Sequence, residues 1–298
     1  MAPWILAGQL SSEDRPGSNP PIPDTTRLVF GFAPSVEGDR TRQALVDLCR
    51  VLGDAVGLDI APMRVASYSA LERAILDGRA SFGWFPPVIL ARLELSGRVI
   101  PIAQCVRGGA ASYHACLFVS ASSPISTVAE VQGKRAVWVD RSSAAGYVFP
   151  RLLLAAHGLD PASAFSQETF AQSHAEVVRA VVEGSADVGA TFATIQKDGR
   201  IIRGGWTDPD GSNPRPIKVL ATFGPIPNDA MAASTALAPE VRDALARAAV
   251  AATATPSLKA ALRHLFGAEA LAPALDDTYS ELRGLVSKAL KTGVLLDG

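Results

Sequence analysis

The chain has 298 residues, 48% of them hydrophobic, and a formal net charge of −1 at pH 7. This composition is typical of a globular protein with a sizeable core, and no basic tract offers a surface for nucleic acid or anionic lipid. No stretch reaches the roughly 20 apolar residues that a membrane helix needs. We therefore expect one large domain or two lobes, with no nucleic-acid partner and no membrane insertion.

The N-terminus is predicted to be a flexible lead-in over residues 1–26, because residues 11–26 are rich in Ser, Pro, Asp and Gly. This segment lacks the basic start and the long apolar run of a secretory signal peptide. As it stands, the sequence predicts a cytoplasmic protein. If a signal peptide has been removed, it predicts a periplasmic one.

The elements predicted after this lead-in alternate between strand and helix, as in a parallel sheet with both faces covered. The helix at 40–57 is amphipathic, and Gly57 is placed to end it. The predicted order is a strand at 27–34, the helix at 40–57, a strand at 63–68, a helix at 69–78 and a strand at 80–85, with amphipathic helices at 239–253 and 279–293 near the C-terminus.

The chain has only three cysteines, Cys49, Cys105 and Cys116, and an odd, small number does not make a disulfide framework. Each lies among apolar residues, which predicts buried free thiols. A Cys105–Cys116 pair across adjacent strands, or a site for a soft ligand, is the alternative.

An internal repeat relates SYSALERAILDGRASFG (67–83) to SHAEVVRAVVEGSADVG (173–189), 106 residues later. Either any two strand–helix units look this much alike, or the chain forms two similar lobes. Tyr68 matches His174 in this alignment. Because ligands of open α/β sheets bind outside the carboxyl ends of the strands, two lobes would place these side chains on opposite walls of one cleft. The alternatives are a half-buried aromatic for Tyr68 and a surface capping residue for His174.

The loop DRSSAAGYVFP (140–150) carries five consecutive small residues between a predicted strand and a predicted helix. Pro150 fits a helix only in its first turn, which predicts a helix start near Gly146 or Tyr147. A helix N-terminus offers unpaired amides and a favourable dipole to an anion, and small side chains leave that backbone accessible. A plain turn with a serine cap is the alternative. The anion site predicted here comprises Ser142, Ser143, Ala144, Ala145 and Gly146.

Three segments together resemble the phosphonate and phosphite substrate-binding proteins of ABC transporters, the PhnD-like family: VDRSSAAGYVFPRLLLAAHGLDP, FAQSHAEVVRAVVEGSADVGAT and FGPIPNDAMA. The resemblance extends from about Arg27 to Leu290. It implies the α/β fold of type 2 periplasmic binding proteins, in which two lobes joined by crossing strands bind a small tetrahedral oxyanion between them. On this scheme one lobe comprises 27–116 plus 223–298, and the other comprises 117–222.

The resemblance also implies ligand-binding roles for single residues. Trp84, in GWFPP, is predicted to line the floor of the cleft, with a position in the core as the alternative. The positions that match ligand-binding positions of the family are Tyr68, Tyr113, Ser143, His174 and Asp229.

The chain departs from the family pattern at two places in the site. Ala144 and Ala145 stand where the family commonly has hydroxyls, so those donors are missing. Thr194 stands near the place of an acid in aminophosphonate binders, which disfavours a ligand with an ammonium group. Asp229 would repel a fully ionised anion, so we expect a ligand that keeps a proton and donates it to this carboxylate.

The predicted function is to bind a phosphonate, phosphite or phosphate-like oxyanion, as a transporter component or a solute sensor. An ABC permease is then one partner, and the chain is expected to be a monomer without metal or cofactor. The alternatives are a cytoplasmic regulatory or interaction module, or an enzyme on the same fold. Ser143, His174 and Asp229 would form a catalytic set only with specific mutual hydrogen bonds, and no metal-ligand spacing or nucleophile elbow is present.

Overall fold

The computed structural model of the protein describes residues 27–33, 38–196, 198–208, 211–275, 277–291 and 293. The lead-in predicted for residues 1–26 lies outside them. The strands are β1 (Arg27–Phe32), β2 (Asp59–Arg64), β3 (Phe82–Phe85), β4 (Val99–Val106), β5 (Ser112–Ser120), β6 (Arg135–Trp138), β7 (Gln167–Phe170), β8 (Val188–Ile195), β9 (Ile201–Gly204), β10 (Ile217–Pro227), β11 (Ala230–Ser234) and β12 (Ala270–Pro273). The helices are α1 (Asp39–Val56), α2 (Tyr68–Leu76), α3 (Pro87–Leu95), α4 (Phe149–Ala156), α5 (His174–Val182), α6 (Pro239–Ala252), α7 (Pro256–Phe266) and α8 (Ser280–Lys291).

These strands form two sheets of similar design, each the centre of one lobe. The first sheet has the order β12-β4-β11-β3-β1-β2, and the second has β10-β5-β8-β6-β7 with β9 paired to β8. In the first sheet β1 is parallel to both neighbours, and β6 is parallel to both neighbours in the second. The predicted two-lobed α/β fold is therefore confirmed. Within the described residues, no helix combines the length and the apolar character that crossing a bilayer requires.

Helix α1 shows how closely local sequence defines an element here. Leu45, Leu48 and Leu52 bury its apolar face against the first sheet. The helix ends where Gly57 adopts φ 71° and its amide donates to the Gly53 carbonyl oxygen at 2.8 Å. A left-handed residue at this position is favourable for glycine because glycine has no Cβ. The prediction of a helix at 40–57 is confirmed to within one residue at each end.

The second strand lies earlier than the sequence pattern suggested. It was predicted at 63–68, whereas β2 is Asp59–Arg64 and contains Pro62. Proline has no amide hydrogen for a ladder bond, so a strand that includes it fits only at an edge or a bulge. Because β2 is the last strand of its sheet, Pro62 is tolerated there.

The repeated segments adopt the same local structure in the two lobes. Ser67 accepts a hydrogen bond from the Ala70 amide at the start of α2, and Ser173 accepts one from the Glu176 amide at the start of α5. Both helices have nine residues, and each is followed by a glycine with positive φ. Tyr68 and His174 are thus the first residues of equivalent helices in different lobes.

All three cysteines are free and buried. Cys105 lies in β4 of the first sheet and Cys116 in β5 of the second, so the alternative of a pair across adjacent strands is wrong. Burial raises the pKa of each thiol to about 12. The thiols therefore stay protonated at neutral pH and act as small apolar side chains.

The first crossing between the sheets lies earlier in the chain than was predicted, and the second lies later. The expected crossings near 116–120 and 219–223 fall within β5 and β10, which both belong to the second sheet. The actual connections are 107–111 and 228–229, so we propose lobes of 27–111 plus 228–291 and of 112–227. Asn228 joins the two connections, because its Nδ2 donates to the carbonyl oxygens of Cys105 and Ala110 at 3.0 and 2.9 Å.

Replacing Asn228 with alanine is expected to lower the free energy of unfolding by about 1–3 kcal/mol, since it removes a buried side-chain amide that donates to two carbonyl groups. The side chain is 2% exposed. Urea denaturation followed by circular dichroism measures the change. The control is Gln43→Ala at an exposed position on α1, which is expected to stay within about 0.5 kcal/mol of the wild type. An Asn228→Ala protein as stable as this control would contradict the role given to Asn228.

Candidate functional site

A cleft of about 840 Å³ lies between the two lobes, at the ends of the strands and the first turns of the helices that follow them. Both lobes contribute polar side chains to it. Eight of the ten residues predicted for the site line this cleft, namely Tyr68, Tyr113, Ser142, Ser143, Ala144, Ala145, His174 and Asp229. The other two, Trp84 and Gly146, do not, and their positions correct the sequence-based interpretation.

Trp84 is a core residue behind the cleft wall. It is 3% exposed, and its ring stacks on Phe266 with centroids 3.8 Å apart. Its Nε1 donates to Oδ2 of Asp229 at 3.1 Å. Strand β3 is covered on both faces, so a large apolar side chain at this position packs inward. Trp84 therefore orients Asp229 and is not part of the cleft floor.

Gly146 is small because of packing rather than ligand access. A Cβ at this position would lie 2.3 Å from Cγ2 of Val139 and 2.8 Å from Oγ of Ser143. Its amide already donates to Oγ of Ser143 at 3.0 Å, so it is not available to an anion. The helical structure begins at Ala144, earlier than the predicted start near Gly146 or Tyr147.

The helical structure starts early because a turn of π-helix precedes α4. Residues Ala144–Val148 form one wide turn of π-helix, in which the Val148 amide donates to the Ser143 carbonyl oxygen, and α4 follows directly. The amides of Ala144 and Ala145 are the first two of this turn, and such amides have no acceptor within their own helix. Both residues line the cleft, so the backbone donors expected from this loop come from these two positions.

His174 presents a neutral ring to the cleft. Its Nδ1 lies 2.9 Å from Oγ1 of Thr191, and its ring packs edge-on against Phe192. Burial lowers the pKa of His174 to about 4. If the Thr191 hydroxyl donates to Nδ1, then Nε2 carries the hydrogen, and it has no partner within the described part of the chain. The ring can therefore donate one hydrogen bond to a ligand.

Two tyrosines add neutral donors. Tyr68 belongs to the first lobe and Tyr113 to the second, and neither hydroxyl has a partner among the described residues. Burial, and then the charge of Asp229, raises the pKa of Tyr68 to about 12 and also raises the pKa of Tyr113. Both phenols therefore remain protonated at neutral pH and can donate to an anion.

Asp229 has two partners within the protein, and the sequence analysis predicted neither of them. Its Oδ2 accepts a hydrogen bond from Nη2 of Arg107 at 2.6 Å as well as the one from Trp84. Arg107 follows β4 and Asp229 precedes β11, and these antiparallel strands are neighbours in the first sheet. The pair joins residues 122 positions apart, so no local motif pointed to it.

Sequence analysis also missed several polar residues on the second-lobe side of the cleft. Asp140, which accepts a hydrogen bond from the Ser142 amide at 2.6 Å, and Arg141 belong to the small-residue loop and could have been suspected from their neighbours. Arg203 lies over the ring of Phe192, 5.7 Å from its centroid. Arg141, Arg203 and Gln172 all line the cleft.

The Ser/His/Asp set considered as an enzymatic alternative is not assembled. Ser143 is bonded to the Gly146 amide, His174 to Thr191, and Asp229 to Arg107 and Trp84. Among the described contacts none of the three bonds to another of the three. The mutual hydrogen bonds that such a set requires are therefore missing from this geometry.

Residues 30–279 match the sequence profile of a protein family described as the phosphonate periplasmic substrate-binding proteins of ABC transporters. This match covers most of the chain and spans both lobes. The chain belongs to this phosphonate-binding family.

Individual relatives of this phosphonate-binding family member are distant. The phosphate-import protein PhnD of Mycolicibacterium smegmatis is 22% identical over 251 residues, which cover 81% of this chain and 76% of that protein. XAC2383 of Xanthomonas citri, solved bound to ATP, matches with a TM-score of 0.75 at 20% identity over 92% of this chain and 100% of that one. PhnD1 of Prochlorococcus marinus, solved with methylphosphonate, matches with a TM-score of 0.66 at 17% identity over 90% of this chain and 100% of that one.

Proposed function

We propose that this protein binds a small tetrahedral oxyanion, such as a phosphonate, phosphite or phosphate, in the cleft between its lobes. The observation that carries the proposal is the convergence of neutral donors from both lobes on one cleft. The first lobe contributes the hydroxyl of Tyr68. The second contributes the hydroxyl of Tyr113, the ring of His174, the hydroxyl of Ser143 and the first amides of the π-turn.

These donors suit an anion because none of them needs to lose a proton or accept one. The start of a helix adds the positive end of its dipole to the free amides of Ala144 and Ala145. An anion that touches both lobes would hold them together. Because such a ligand binds the folded state, it would stabilise the protein by mass action, by about 2.7 kcal/mol at a hundredfold excess over Kd.

The geometry supports a ligand without an ammonium group. Thr194 lines the cleft without a charge, and the carboxylate of Asp140, which also lines it, accepts a hydrogen bond from the Ser142 amide. Asp229 already has Arg107 as its cationic partner. Methylphosphonate is therefore expected to bind more tightly than 2-aminoethylphosphonate.

A larger organophosphate is a second candidate, favoured by the size of the cleft. A volume of about 840 Å³ is at the upper end of the range of roughly 300–1,000 Å³ typical of pockets for drug-sized ligands. Arg141 and Arg203 add positive charge to the cleft, next to the neutral donors. The structural neighbour XAC2383 was solved bound to ATP, so a nucleotide is the suitable test ligand of this class.

The family favours a role in transport over a role in sensing. Its members are periplasmic substrate-binding proteins of ABC transporters, so we propose an ABC permease as the partner that receives the ligand. The same description favours the periplasmic location over the cytoplasmic one, the two that the sequence left open. A catalytic role has no support from the arrangement of Ser143, His174 and Asp229.

Isothermal titration calorimetry of the purified protein against methylphosphonate, phosphite, phosphate, sulfate and ATP tests this function. We expect Tyr68→Phe to weaken binding of the preferred oxyanion about ten- to a hundredfold, the effect of losing one hydrogen bond to a charged group. Tyr147→Phe is the matched control, because Tyr147 is a buried tyrosine that does not line the cleft. It should bind as the wild type does.

Each outcome of this titration is informative. Binding of ATP with no binding of the small oxyanions would favour the organophosphate candidate. If the wild type binds none of these anions, or if Tyr68→Phe binds as tightly as Tyr147→Phe, the proposed site is wrong.

A further inference from the structure

Arg107 lines the cleft but has no part in the function proposed above. It follows β4, lines the cleft, and has 22% of its side chain exposed. Its guanidinium is held from two sides. Nε and Nη2 donate to the carbonyl oxygen of Phe266 at 3.2 and 2.8 Å, and Nη2 also donates to Oδ2 of Asp229 at 2.6 Å.

These bonds leave part of the guanidinium unused. Its five N–H groups lie in one plane, and the three bonds occupy the Nε hydrogen and both hydrogens of Nη2. The two hydrogens of Nη1 have no acceptor among the described residues. Nη1 is not fully buried, so a ligand can reach it. Since the side chain lines the cleft, these hydrogens are available to a ligand there.

The surroundings of Arg107 keep it charged and fixed. Burial lowers the pKa of the guanidinium, but the charge and the hydrogen bond of Asp229, with smaller effects of Cys105 and Tyr113, together outweigh burial and raise the pKa above its ordinary value. The carboxylate of Asp229 is itself oriented by Trp84. A planar donor that is oriented before binding loses little conformational freedom when it meets an oxyanion.

We propose that Arg107 is a further ligand-binding residue of the cleft, with Nη1 donating to an oxygen of the bound oxyanion while Asp229 holds the guanidinium in position. This inference rests on the proposed function. It gives the ligand a positive partner on the wall of the first lobe, opposite the neutral donors of the second. Asp229 then acts as a positioning residue for Arg107, and the ligand needs no proton to approach it.

The test compares two variants that differ only at position 107. In Asp229→Asn the carboxylate is removed and Arg107 remains, whereas in the double variant Arg107→Gln with Asp229→Asn both charges are removed. Calorimetry with methylphosphonate and with phosphate measures Kd for each. We expect the single variant to bind more weakly than the wild type, by up to about tenfold, because asparagine holds Arg107 in position less firmly than the carboxylate does. We expect the double variant to bind at least tenfold more weakly than the single variant, because a charge-assisted hydrogen bond is lost.

If Arg107 served only to neutralise Asp229, removing its charge from a protein that already lacks the carboxylate would not weaken binding further. A double variant that binds as tightly as Asp229→Asn therefore overturns the inference while the proposed function stands. If the wild type binds no oxyanion, both fail. A second measurement does not depend on how the variants fold. The Nε–H resonance of Arg107 in wild-type protein, assigned by through-bond correlation to the Arg107 backbone, should shift on addition of methylphosphonate. An unchanged resonance in a protein that binds methylphosphonate overturns the inference as well.

Discussion

Replacing Gly146 with alanine is expected to destabilise the protein by about 1–3 kcal/mol and to weaken oxyanion binding at the same time, because a single methyl group overfills the space behind the π-turn. The new Cβ would lie 2.3 and 2.6 Å from two atoms of the Val139 side chain, which belongs to the core of the second lobe. It would also lie 2.8 Å from Oγ of Ser143, the atom that caps the turn. The turn must move away from Val139, and the amides of Ala144 and Ala145 move with it.

The measurements are urea denaturation and calorimetry with methylphosphonate. A suitable control is Gly284→Ala, because Gly284 lies within α8 and a Cβ there would meet nothing within 4 Å. Alanine in the interior of a helix is favoured over glycine by roughly 0.5–1 kcal/mol, so this variant should gain stability and keep its affinity. A Gly146→Ala protein with wild-type stability and affinity would show that the turn is not packed as described.

Lowering the pH from 7 towards 4.5 is expected to reduce the free energy of unfolding by up to about 3 kcal/mol through His174 alone. Burial lowers the pKa of His174 to about 4 in the folded protein, whereas an unfolded histidine has its ordinary pKa of about 6.5. Between these two values the unfolded chain binds the proton and the folded protein does not. The contribution of His174 is therefore fully present above about pH 6.5 and is lost as the pH falls towards 4, at about 1.4 kcal/mol for each unit of pKa difference.

The experiment is a series of urea denaturations from pH 7 to 4.5 on the wild type and on His174→Asn, which keeps a polar partner for Thr191. The stability of His174→Asn should depend less on pH, by about the amount assigned to His174. The pKa of His114 is also lowered by burial, but His114 is present in both proteins and its effect cancels in the comparison. An exposed histidine provides the control, so His157→Asn should retain the wild-type dependence. Parallel curves for wild type and His174→Asn would refute the assignment.

The sequence by itself determined those features that depend on neighbouring residues. The spacing of apolar residues in α1 and the glycine at position 57 are signals contained within a few residues of the chain. The bounds of this helix were therefore predicted to within one residue. The repeat paired Tyr68 with His174, each after a serine able to cap a helix, because such caps are local signals, and the structure shows both as the first residues of equivalent helices. The three segments that resemble the phosphonate-binding family also led to the correct family, because together they occur in the order typical of that family.

Only the tertiary structure decided which of the small and polar residues face the cleft. Gly146 was interpreted as ligand access, but it is required by Val139, which packs against it from the strand side of the loop. Trp84 was placed at the cleft floor, whereas stacking on Phe266 buries it in the core.

Arg107 received no role from the sequence because its partner Asp229 is 122 residues away and meets it only when β4 and β11 pair. Local patterns record the backbone preferences of a segment. The direction and charge environment of a side chain in a cleft between lobes depend on contacts that exist only after both sheets have formed.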